Sequence, residues 1–91
     1  MSEKIWRVVF SRTARKSLER TETSVYKKIL DHLDQLSVLD NPLRHKDVRR
    51  LAGKLRSVYR LRVGEPRLIF EIDPALKLIQ VMLVETRGSA Y

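Results

Sequence analysis

Three arginines with a spacing suited to phosphate chemistry stand near the middle of this 91-residue chain: Arg60 and Arg62 in the stretch Val58 to Val63, and Arg67 opening the stretch that runs to Ile72. Both stretches alternate apolar and polar residues, the period of a half-buried strand, and Gly64-Glu65-Pro66 between them has the composition of a turn. If Arg62 lies opposite Arg67, then Leu61 meets Leu68 and Tyr59 meets Phe70. The apolar rows then coincide on one face and the three arginines share the other, a self-consistent register. Guanidinium groups are permanently charged and offer a planar fork of donors, so this trio can bind a phosphate and stabilise extra negative charge on it in a transition state. Like charges on neighbouring strands repel, which invites an anion between them. A charged sheet face kept in water fits the same pattern.

Other reaction chemistries find little support. There is no cysteine, hence no disulfide framework, thiolate metal site or thiol nucleophile. His32 falls on a helical stretch beside Leu33 and His45 in a basic connector, and neither has a partner at ligand or relay spacing, so both read as ordinary surface or boundary residues. Asp31 and Asp34 stand beside Lys27 and Lys28, where ion pairing along a helix accounts for them. No phosphate-binding loop, dinucleotide fingerprint or Ser/His/Asp arrangement occurs. No cofactor and no metal is expected.

The charge points to a polyanion. Nineteen Lys and Arg against 11 Asp and Glu give +8, with a pI near 10.3. Between Arg44 and Arg62 lie eight basic residues (Arg44, Lys46, Arg49, Arg50, Lys54, Arg56, Arg60, Arg62) against Asp47 alone. A segment of that composition facing one way can neutralise several phosphates, and the first six of these residues are the candidate nucleic-acid contacts. Apolar runs are far shorter than the ~20 residues of a spanning helix, so no membrane association is expected and the chain reads as cytoplasmic.

The elements that must position these groups are legible from periodicity. Ile5 to Phe10 reads as a strand buried on most of both faces. Ser11 is a plausible cap for a short charged helix whose Ala14 and Leu18 share a face, ending near Arg20. Thr21 or Thr23 can cap a second helix, with Val25, Ile29, Leu33 and Leu36 as its stripe, widened by Tyr26, Leu30 and Leu39 and stopped at Asn41-Pro42. After the arginine-bearing hairpin and a turn at Asp73-Pro74, Leu78 to Val84 reads as a nearly continuous apolar strand of a sheet interior. The expected fold is α+β: one small domain over residues 1–91, strand–helix–helix–strand–strand–strand, an antiparallel-rich sheet with a helical hairpin packed on one face.

Tyr59-Arg60-Leu61-Arg62-Val63, Pro66-Arg67-Leu68-Ile69-Phe70, Val84-Glu85-Thr86-Arg87 and the following Tyr91, in this order of elements, resemble the RelE toxins of the RelE/ParE toxin–antitoxin superfamily. The resemblance is most specific from Leu51-Ala52-Gly53 to Tyr91. It implies a RelE-like fold and a ribosome-dependent mRNA endonuclease that cuts message in the ribosomal A site by attack of a ribose 2′-hydroxyl on its own phosphate, without metal. On the matching positions, Arg60 and Arg62 stand where the family commonly carries lysines that stabilise the reacting phosphate or assist proton transfer. Arg67 matches the arginine that orients the scissile phosphate, Arg87 the acid or charge stabiliser, and Tyr91 the tyrosine that stacks on or activates the nucleotide. Arginine can do only the electrostatic part of a lysine's work. The resemblance also implies a cognate RelB-like antitoxin, with ribosome and mRNA as partners. Two rivals stand beside it: a ParE-like toxin that inhibits DNA gyrase and cuts nothing, and a non-catalytic RNA-binding module. Retention of the late Arg and Tyr speaks against the first. Against the second, Tyr59 and Phe70 point into the core, whereas single-strand RNA binders display aromatic rings outward.

Overall fold

The alternating stretches pair as their patterning requires. The computed structural model describes residues 4–51 and 58–85, in which the order is β1 (Arg7–Phe10), α1 (Arg12–Glu19), α2 (Thr23–Ser37), a 3-10 turn (Pro42–Arg44), β2 (Val48–Arg50), β3 (Val58–Arg62), β4 (Arg67–Asp73) and β5 (Leu78–Glu85). The five strands form one sheet in the order β1-β5-β4-β3-β2. β1 runs parallel to β5, and the remaining pairs are antiparallel. The helices supply Ala14, Leu18, Ile29, Leu33 and Leu36 to a single core, met from the sheet by Leu61, Leu68, Phe70, Ile79, Val81 and Val84. This is the α+β architecture expected.

The hairpin register is the one that apolar parity demands. Leu61 lies opposite Leu68, Tyr59 opposite Phe70 and Arg62 opposite Arg67. Leu61, Leu68 and Phe70 are fully buried, and the Tyr59 and Phe70 rings are 5.8 Å apart. A slip of one residue would carry this row to solvent and the arginines into the core. The connection closes through the Val63 N–H donating to the Pro66 carbonyl at 2.8 Å, and Gly64 takes the left-handed φ of 67° that side chains disfavour.

Helix α1 begins where expected. The Ser11 hydroxyl oxygen accepts the Ala14 N–H at 3.0 Å and donates its own proton to the Met82 carbonyl at 2.7 Å. That carbonyl is available because the β4/β5 register shifts at Ile69/Phe70: Ile69 faces Leu83 while Phe70 faces Val81, leaving Met82 as the extra residue of a bulge. The cap thus ties the helix to the interior strand.

Four expectations need correction. β1 is an edge strand beginning at Arg7: Val8 and Phe10 pack on the core, but Ile5 and Val9 are 40% and 38% exposed, because β5 is its only strand neighbour among the described residues. Trp6, just before it, is buried, its indole N–H donating to the Asp40 carbonyl at 3.3 Å. Second, neither threonine caps α2. Glu22 occupies the cap position without a side-chain bond, Thr23 is already helical, and the Thr21 hydroxyl donates to the Ser17 carbonyl at 2.7 Å, an acceptor in the last turn of α1 that also receives the Arg20 N–H at 3.2 Å. Third, the basic connector contains β2, a strand too short and too charged to show a period. Fourth, Asp34 pairs with Lys4 at 3.0 Å rather than with a lysine of its own helix.

Candidate functional site

The short strand β2 decides where the basic residues gather. Val48 is buried and lies opposite Leu61, which sends Arg49 to the other face, directly across from Arg60. Lys46, Asp47, Arg49, Arg60 and Arg62 line one cleft of about 90 Å³. That is on the scale of a small anion, well below the roughly 300–1,000 Å³ of sites that enclose drug-sized ligands. Three separate pieces of chain therefore bring four cations and one carboxylate around a single concavity: the turn at residues 45–47, β2 and β3.

Backbone groups hold this arrangement. Arg49 Nη1 donates to the carbonyls of Lys46 and Val48, each at 3.0 Å, so its guanidinium is steered by the turn that precedes it. The Arg62 N–H donates to the Asp47 carbonyl at 3.0 Å, extending the β2–β3 pairing into the turn. Asp47 lowers the net positive charge of the cleft without forming a close ion pair with its arginines among the described residues.

Each candidate residue has a definite place, or lies outside the described residues. Arg60 and Arg62 line the cleft, with Arg60 half-buried and Arg62 exposed. Arg67 faces Arg62 across the hairpin but stands one strand beyond the cleft, between Arg62 and Glu85 of β5. Of the six expected nucleic-acid contacts, Lys46 and Arg49 join the cleft. Arg44 ends the 3-10 turn as an exposed residue, and Arg50, opposite Tyr59, takes the alternate face from Arg49. Lys54, Arg56, Arg87 and Tyr91 lie outside the described residues.

One residue of the cleft and one in the turn behind it were not singled out by the sequence. Asp47 was visible only as the lone acid in a basic run. His45, read as an ordinary boundary residue, is bonded at both ring nitrogens: Nδ1 accepts the Asp47 N–H at 3.1 Å, and Nε2 lies 3.0 Å from Gln35 Oε1 on α2. An Asx-like position two residues before a turn amide is a local signal that could have marked it.

A larger concavity lies elsewhere. About 420 Å³ opens at the α1–α2 corner, lined by Phe10, Arg15, Leu18, Glu19, Thr21, Thr23 and Tyr26, and it holds no cluster of groups suited to phosphate chemistry. Among the described residues, no group of three or more His, Cys, Asp or Glu is placed to hold a metal ion, and no helix is long and apolar enough to cross a membrane.

No family model and no curated protein matches the chain by sequence. Solved structures do. A chain of the archaeal RelE–RelB complex from Pyrococcus horikoshii superposes with a TM-score of 0.77 at 27% identity, over 94% of this chain and 99% of that one. The toxin–antitoxin complex RelBE2 of Mycobacterium tuberculosis gives 0.79 at 24% identity, over 94% and 95%. The intact RelBE toxin–antitoxin complex of E. coli gives 0.72 at 20%, over 93% and 99%. The chain therefore shares its fold with chains of RelE–RelB complexes over nearly their full length, and about a quarter of its positions with the archaeal one, a likeness to the RelE toxins.

Proposed function

We propose that the protein is the toxin of a toxin–antitoxin pair and acts as a ribosome-dependent endonuclease on messenger RNA. The observation that carries this reading is the convergence of Lys46, Arg49, Arg60 and Arg62 on one cleft of single-anion size, with Arg67 adjoining it across the hairpin. RNA supplies its own nucleophile. The ribose 2′-hydroxyl loses its proton and attacks the neighbouring phosphorus, the bond to the 5′-oxygen breaks, and that oxygen is protonated as it leaves, giving a 2′,3′-cyclic phosphate and a 5′-hydroxyl.

The protein's part is chiefly electrostatic. As phosphorus becomes five-coordinate, negative charge grows on its free oxygens, and fixed guanidinium donors at Arg60 and Arg62 stabilise that charge more than the ground state. Arg67 is assigned the orientation of the scissile phosphate. Arg87 is assigned leaving-group or charge stabilisation and Tyr91 contact with the nucleotide, both by family resemblance. Lys46 and Arg49 lengthen the basic track for the flanking backbone. Alignment of the message by the ribosome supplies positioning that so shallow a cleft cannot.

The neighbours were solved as complexes with RelB antitoxins, and a RelB-like antitoxin is the partner proposed for this chain. Its acidic segments suit the basic cleft, and its apolar helical segments suit the groove at the α1–α2 corner. The test is to add the protein to a translating extract and map message ends. The reading requires new ends within codons of engaged messages, bearing 5′-hydroxyls, and an Arg62→Ala variant should reduce them at least about tenfold, the scale of one lost charge-assisted contact. Intact messages together with inhibited DNA supercoiling would transfer the assignment to gyrase inhibition.

A further inference from the structure

The turn beneath the cleft is held by a titratable ring. A backbone amide can only donate, so the bond from the Asp47 N–H fixes Nδ1 of His45 as the bare nitrogen and puts the proton on Nε2, which donates it to Gln35 Oε1. The same turn carries further bonds: the Val48 N–H donates to the His45 carbonyl at 3.1 Å, the Asp47 carbonyl receives the Arg62 N–H, and the Lys46 carbonyl receives the Arg49 guanidinium. One imidazole thus fastens to α2 the segment that carries Lys46, steers the Arg49 guanidinium and pairs with the Arg62 backbone.

We propose that His45 is a positioning residue for the basic cleft, effective only as the neutral ring, so that acid loosens the turn and weakens the grip on a phosphate backbone. The inference rests on the cleft being the RNA-binding surface. Protonation at Nδ1 would set two N–H groups against each other where a hydrogen bond now stands. On balance the surroundings of the ring favour the neutral form. Partial burial is the largest influence lowering its pKa below the usual 6.5; Asp47 opposes this, while His32 on α2, with its ring centroid 6.2 Å away, and Lys46 on the turn both lower it further. Gln35, the remaining polar group against the ring, is uncharged and accepts the Nε2 proton.

A merely electrostatic role has the opposite sign, since an imidazolium near the cleft would attract RNA. The probe is a short 2′-O-methyl RNA, whose blocked hydroxyl prevents cleavage, bound to the full chain at constant ionic strength. The wild-type affinity should fall about threefold to tenfold between roughly pH 7.5 and 5, the scale of one hydrogen bond. His45→Asn supplies an oxygen that can accept the Asp47 N–H in an Asx turn and does not titrate, so it should bind as the wild type does near neutrality and lose the His45-dependent fall. His45→Ala should bind weakly at both pH values. Nitrogen-15 spectra should show the Nε2–H tautomer, with the Asp47 and Arg62 amides moving at a midpoint below 6.5 in the wild type alone. An Nδ1–H tautomer, tighter wild-type binding in acid, or equal pH dependence in wild type and His45→Asn would overturn the proposal. RNA binding indifferent to Arg60→Ala would instead remove the cleft reading, with the tautomer and the Arg62 amide still deciding the role of His45.

Discussion

The cross-strand pair Arg49 and Arg60 sets two like charges face to face on the open side of the sheet, where such pairs usually cost about 0.2–1 kcal/mol. A fold without a use for that pair gains nothing by keeping it. Replacing Arg60 by threonine, a good strand former, should leave unfolding free energy unchanged or raise it by up to about 1 kcal/mol, while RNA binding weakens. Urea unfolding and oligonucleotide titration on the same variant measure both. A large loss of stability would mean that the Arg60 stem, lying beside Ile69 on β4, matters more to packing than its charge does to function. At this scale the sequence disclosed residue types and their alternation, which is why Arg60, Arg62 and Arg67 could be named. It could not disclose that Arg67 stands one strand beyond the cleft and Lys46 within it, because lateral distance across a sheet depends on strand order.

Among the elements, the joint between α1 and β5 rests on Ser11, whose hydroxyl both caps the helix and reaches the bulge carbonyl of Met82. Ser11→Ala should cost about 1–2 kcal/mol, the upper part of the range for a lost cap, because the second bond goes with it. Thr23→Ala should stay within about 0.5 kcal/mol, since Thr23 is an exposed first-turn residue and no cap. Chemical denaturation of the two variants side by side distinguishes the joint from a general effect of hydroxyl removal. The cap at Ser11 was legible because capping is local. The one at Thr21 or Thr23 was misread because the Thr21 hydroxyl is claimed by the Ser17 carbonyl, an acceptor whose position depends on how α1 ends. β2 was missed for a related reason: three residues cannot establish a period, and only the β3 edge makes them a strand.

For the molecule as a whole, two long-range properties follow. The charge of +8 makes association with RNA a matter of counterion release, so affinity should fall steeply with salt, and removing one cleft arginine should reduce the slope of log affinity against log salt by about 0.7 for a single strand. Stability should also respond to acid through His45. Its folded pKa lies below its unfolded value of 6.5, so the unfolded chain binds the proton more readily. The contribution is complete above 6.5 and is lost as pH falls through the lowered folded value. Unfolding midpoints of the wild type and His45→Asn, compared across that window, should diverge only below about pH 6.5, since carboxylate effects are common to both.

The sequence by itself settled what is encoded over a few neighbouring residues: the hairpin register, through the parity of apolar side chains; the stripe of α2, through its helical period; and the excess of positive charge after Leu43. Tertiary structure decided what depends on distant segments meeting. It made β1 an edge, set the strand β2 within a basic connector, and placed His45 against Gln35 of α2. The cleft belongs to this second kind, because its cations come from a turn and two strands whose adjacency arises only when the sheet is assembled, and side-chain alternation says which face a residue takes but never which neighbour it will find there.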